Sequence, residues 1–93
     1  MLVYIRTIET DLLNFKGTTM DEYNQLAGAI DNELGLLTSN CTMSGQAHDE
    51  LHKWLLPFID SSDAFFDEEE LSQKKEKLSA LKLSFETFNT YFE

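Results

Sequence analysis

The chain has 93 residues, 42% of them apolar, and a formal net charge of −10. That length makes one domain with a modest core, and the apolar share belongs to a globular chain rather than a disordered one. A field of this sign repels nucleic acid and anionic membrane surfaces, and phosphate binding needs clustered Lys and Arg, so direct nucleic-acid binding is not expected.

No run approaches the ~18 apolar residues of a membrane span. The opening stretch, Met1 to Thr10, makes a poor signal peptide, because Arg6 and Glu9 interrupt a short apolar run. The single cysteine, Cys41, cannot close an internal disulfide. It is a small buried hydrophobe, a metal ligand, a reactive thiol or an intermolecular link. One proline and four glycines leave few breaks, which favours long helices.

The first helix is expected over roughly 2–16. Met1, Ile5, Ile8, Leu12 and Phe15 follow steps of four and three and form one apolar stripe, widened by Leu2 and Leu13. Gly17 is a suitable stop. The second is expected over roughly 20–38. Thr19 and Glu22 have the spacing of a capping box, in which each side chain satisfies a backbone N–H near the other residue. Tyr23, Leu26, Ile30, Leu34 and Leu37 carry its stripe. Gly28 and Gly35 share a face, and close helix–helix approach is one explanation for them.

Thr38 to Gly45 reads as a loop, with Ser44 as N-cap of the third helix and Asp49 and Glu50 near its positive end. That helix carries Ala47, Leu51, Trp54, Leu55, Phe58 and Ile59. Pro57 kinks it or ends it. Since the apolar pattern continues to Phe65, a kink is favoured, with an end near Ser61 or slightly later. The fourth helix is expected over roughly 67–92, with Asp67 as N-cap and Glu68, Glu69 and Glu70 in the first turn. Leu71, Leu78, Leu81, Phe85, Phe88 and Phe92 form its stripe, although Lys74 occupies a place where an apolar residue would fit. Glu70 and Lys74 are expected to form a surface i,i+4 pair. The sum is an all-α, antiparallel up-and-down four-helix bundle in a single domain.

The residues that carry chemistry gather between positions 41 and 52. Cys41, Met43, His48 and His52 fall within twelve residues. Imidazoles four apart on a helix project from neighbouring turns of one face and can chelate one ion. Two His with a Cys and a Met suit Cu(I) best, and Zn(II) if a carboxylate such as Asp49 replaces Met43. The rival reading is structural. His48 shares a stripe with Leu51, Leu55 and Phe58, and Cys41 and Met43 can plug the end of a bundle.

The run Ala47-His48-Asp-Glu-Leu-His52-Lys-Trp54-Leu-Leu-Pro57, followed by a Glu/Lys-rich helix, resembles a bacterial helical domain family of unknown function. Its members are small exported proteins or appendages of copper/silver efflux adaptor proteins. Gly45, Ala47, His48, Trp54, Leu55 and Pro57 match the family pattern. The resemblance covers roughly residues 20–92 and is specific over 43–57. It implies a helical bundle, a periplasmic or exported location, and a role in heavy-metal handling. Without it, a cytoplasmic location is expected. A Cys-Pro-Met type motif that often follows in such domains does not occur in these 93 residues.

Other chemistries fit less well. The only nucleophile–base candidate is Cys41 with His48 or His52, and so small a bundle leaves little room for a substrate pocket. No enzyme activity is expected. A di-iron site needs Glu-x-x-His on two helices, whereas positions 45 and 49 are Gly and Asp. A haem would need axial ligands such as His48 and Met20 deep in the core, and nothing selects them. Asn40-Cys41-Thr42 matches a glycosylation acceptor only weakly. The alternative functional class is an acidic interaction module that binds a basic protein surface, with Asp67 to Glu70 as its most charged run.

Overall fold

The computed structural model describes residues 2–39 and 45–92, and within these the side chains of all but Leu2, Gln46, Ala47 and Phe92. Four helices follow in order, α1 (Leu2–Asn14), α2 (Met20–Ser39), α3 (Gln46–Asp67) and α4 (Leu71–Phe92). There is no strand among the described residues. Each helix packs on its neighbours in sequence, and α1 closes the ring against α4. Paired side chains set the directions. Tyr23 at the start of α2 meets Phe65 at the end of α3, and Arg6 near the start of α1 meets Asn89 near the end of α4. The architecture is the expected antiparallel up-and-down bundle.

The apolar stripes make the core. Ile5, Ile8 and Leu12 from α1 meet Leu26, Ile30, Leu34 and Leu37 from α2. Leu51, Leu55, Phe58 and Phe65 of α3 and Leu78, Leu81, Phe85 and Phe88 of α4 complete it. Each such side chain contributes roughly 1.5–3 kcal/mol on burial. Met1 lies outside the described residues, and the side chains of Leu2 and Phe92 outside the described side chains. Leu13 does not widen the α1 stripe. It lies one residue, about 100° of helix, past Leu12, and is 70% exposed.

The first turn of α2 is built as the capping box requires. Thr19 Oγ1 accepts from the Glu22 N–H at 3.2 Å, and Glu22 Oε1 accepts from the backbone N–H groups of Thr18 and Thr19. These bonds hold the Glu22 carboxyl below its ordinary pKa, that from Thr18 most. α1 stops at Asn14, short of the expected end, and the chain passes Gly17 so tightly that a Cβ there would lie 2.6 Å from the Phe15 ring. Gly28 and Gly35 are different. A Cβ at either meets nothing within 4 Å, so close helix approach does not explain them.

The expected Ser44 cap lies outside the described residues. Gly45 precedes α3 with φ of 89°, in the region that favours glycine, and no side chain caps the helix there. α3 then runs through Pro57 and continues to Asp67, beyond the expected end. The extra turns are bought by burial of Ser62 and Phe65 between the acidic residues. Asp67 is therefore the last residue of α3 rather than the cap of α4. Glu68 organises the turn instead. Its carboxylate accepts from the backbone N–H groups of Glu69 and Glu70 and pairs with Lys77. Lys77 does most to hold that carboxyl below its ordinary pKa.

Lys74 corrects another expectation. It is fully buried, and its ammonium does not pair with Glu70. Nζ donates to Asn24 Oδ1 at 2.8 Å and to the backbone carbonyls of Glu68 and Phe66 at 3.2 and 3.3 Å. It also lies 5.2 Å from the centre of the Phe65 ring. Its three protons thus meet three oxygens, including carbonyls at the negative end of α3. Burial pushes its pKa below the ordinary lysine value, against the opposing pull of Glu68 and Asp67.

Candidate functional site

The first two turns of α3 bring His48 and His52 together. Their ring centroids lie 4.1 Å apart with planes tilted by 44°. Both are half-buried, on the flank of α3 beside Leu51 and Leu55, which turn fully into the core. The helix alone fixes this proximity, since residues four apart stand over one another on successive turns. His48 is neither wholly core nor wholly solvent-facing, which reconciles its place on the apolar stripe with its position next to His52. Cys41 and Met43 lie outside the described residues. Asp49, the suggested oxygen donor, is exposed on the outer side of α3. Among the described residues no group of three or more His, Cys, Asp or Glu is placed to hold a metal ion. The described part of the site is therefore an imidazole pair, which supplies two nitrogen ligands at most from this helix.

Trp54 anchors the next turn. Its ring stacks on Phe58 at 4.8 Å and meets Phe88 at 4.7 Å and Phe85 at 5.2 Å. The indole N–H donates to the Ser84 carbonyl at 2.8 Å, so α3 is tied to α4 in a fixed register. Beside it runs a groove of about 600 Å³ between α3 and α4. Trp54, Pro57, Phe58 and Tyr91 form its walls, and Ser61, Ser84 and Thr87 add hydroxyls. The apolar stripes do not mark this groove, because Pro57 and Tyr91 are both exposed and only the packing of two helices makes a trough between them.

No family model, curated protein or solved structure matches the chain. The resemblance to the efflux-associated domains thus rests on six residues. The structure gives four of the six a packing or backbone role: Gly45 enters the helix with positive φ, Leu55 is buried, Trp54 ties two helices, and Pro57 lines the groove. His48 stands apart, because its neighbour is a second imidazole.

The remaining polar clusters hold helices together. Arg6 donates to Glu9 Oε1 at 2.9 Å and to Asn89 Oδ1, and the Asn89 amide donates to Glu9 Oε2 at 2.8 Å. This closed triangle joins α1 to α4, with the Arg6 guanidinium over the Phe88 ring at 4.9 Å. The Asn89 bond, more than Arg6, holds the Glu9 carboxyl below its ordinary pKa against partial burial. No buried side-chain nitrogen or oxygen among the described residues lacks a partner. No helix among them is long and apolar enough to cross a membrane.

Proposed function

We propose that this is a non-enzymatic, metal-handling protein whose His48 and His52 imidazoles share one soft metal ion, Cu(I) in preference to Zn(II). The observation that carries the reading is the 4.1 Å approach of the two rings on successive turns of α3. Cys41 and Met43, a few residues before the helix, are the proposed sulfur donors that complete the set. The resemblance to efflux-associated domains supports the same ion and a periplasmic or exported setting. Titration with Cu(I), and separately with Zn(II), tests the reading on the wild type and on the His48→Ala/His52→Ala pair. Loss of affinity in the double variant is expected. Equal affinity in both proteins removes the site.

A second reading is favoured by a different observation. Asp60, Asp63 and Asp67, at i, i+3 and i+7 on α3, are all exposed and share one outer face with Asp49. With a net charge of −10, that face fits a basic protein surface. Binding of a basic partner that weakens when these aspartates become asparagines supports it, and unchanged binding rejects it.

A further inference from the structure

We propose that the α3–α4 groove receives the apolar edge of a basic amphipathic helix. The inference rests on the second reading, an acidic interaction module, and names the partner's shape and the place where it docks. The groove follows α3 from Glu50 to Ser61, about three helical turns or about 16 Å. A helix presents anchors at i, i+4 and i+7 over about 10.5 Å, which fits within that length. Its walls are the side chains that such anchors prefer, above all Trp54 and Tyr91, the latter 77% exposed on a helix that buries Phe85 and Phe88.

Charge selects the sign of the partner. Lys53 and Glu50 at the groove edge neutralise each other at 2.9 Å, and Asp49 and Asp60 stand exposed on the adjoining outer side of the same helix. The lysines of α4 do not reach the groove. Lys74 is buried, Lys77 is engaged by Glu68, and Lys75 and Lys82 fall on the helix face opposite Ser84 and Tyr91. A backbone acceptor points the same way. Pro57 has no N–H, so the Lys53 carbonyl lacks the donor four residues on that a helix normally supplies. A lysine or arginine head flanking the docked apolar edge supplies one.

Trp54 is the only tryptophan, so its emission reports occupancy of the groove directly. The probes are three Trp-free synthetic peptides: a Leu/Lys helix with leucines at i, i+4 and i+7, a scrambled peptide of the same composition, and the Leu/Glu counterpart. Saturable one-to-one binding of the amphipathic Leu/Lys peptide, with a blue shift of Trp54, is expected. Tyr91→Ala and Thr87→Arg, both at exposed positions, should each weaken it by about tenfold or more while helical circular dichroism is unchanged. If both Leu/Lys peptides bind alike and neither variant matters, the groove proposal falls and the acidic-surface reading stands. If neither basic peptide binds, both fall. Tighter binding of the Leu/Glu peptide also overturns the proposal.

Discussion

The Lys74 ammonium donates to the Asn24 side-chain oxygen over 2.8 Å, from the first turns of α4 to the first turns of α2. The two helices lie on the diagonal of the ring, and the bond ties them beside the end of α3. It places a charge in the core while leaving none of its three protons unsatisfied. Its removal should therefore be costly in a way that depends on what replaces it.

Lys74→Ala leaves a cavity and strips donors from Asn24 and from the carbonyls of Phe66 and Glu68. It should destabilise by about 2–5 kcal/mol. Lys74→Met keeps most of the volume and should cost less, since buried charges are often replaceable by apolar residues of similar size. Urea unfolding of the three proteins checks the order. The pH dependence has a definite sign. The folded pKa lies below the ordinary 10.5, so the unfolded chain binds more protons between the two values. The stability of wild type relative to Lys74→Met should thus rise with pH through that alkaline window. A flat difference contradicts the assignment.

Glu9 has the opposite charge and the opposite exposure to acid. Its folded pKa is depressed below 4.5, first by Asn89 and then by Arg6. The stabilisation is present above that ordinary value and is lost as pH falls through the lower folded value. Asn89→Ala should cost about 1–3 kcal/mol at neutral pH, because it opens the triangle and leaves Glu9 with Arg6 alone. The cost should shrink in acid. Paired unfolding curves at neutral and acid pH measure it.

Trp54→Ala should cost about 3–5 kcal/mol through lost packing against Phe58, Phe85 and Phe88. Trp54→Phe separates packing from hydrogen bonding. It keeps a ring in place, forfeits the bond to Ser84, and should cost about 1–2 kcal/mol. A change below about 1 kcal/mol in the alanine variant would show that the ring is not an anchor.

Pro57 sits inside a continuous helix at an exposed position, where proline costs about 3 kcal/mol relative to Ala. Pro57→Ala restores the N–H for the Lys53 carbonyl. Partial loss of the unfolded-state benefit of proline tempers the gain, so a net stabilisation of about 1–2 kcal/mol is expected. Thermal unfolding reads it as a higher midpoint, and a lower midpoint would mean that Pro57 contributes packing the helix needs.

The stripes were readable because each helix follows its 3.6-residue period with few exceptions. Ile5, Ile8 and Leu12, and Tyr23 through Leu37, are where their spacing puts them. The capping box of Thr19 and Glu22 was readable for the same reason, since all its atoms lie within four residues. What escaped was non-local. The fate of Lys74 depends on Asn24, fifty residues away, and on the end of α3. The length of α3 depends on Phe65 finding Tyr23 across the bundle. At the candidate site, the proximity of His48 and His52 follows from the helix alone, whereas the groove beside Trp54 exists only once two helices pack.

The metal reading requires the His48 and His52 imidazoles to share one ion. Nitrogen-15 NMR of the His48 and His52 rings during stepwise Cu(I) addition tests it most directly. A ring nitrogen of each histidine should shift, the two together, with both changes complete at one equivalent. A shift at only one ring, or none at either while metal still binds, would contradict it.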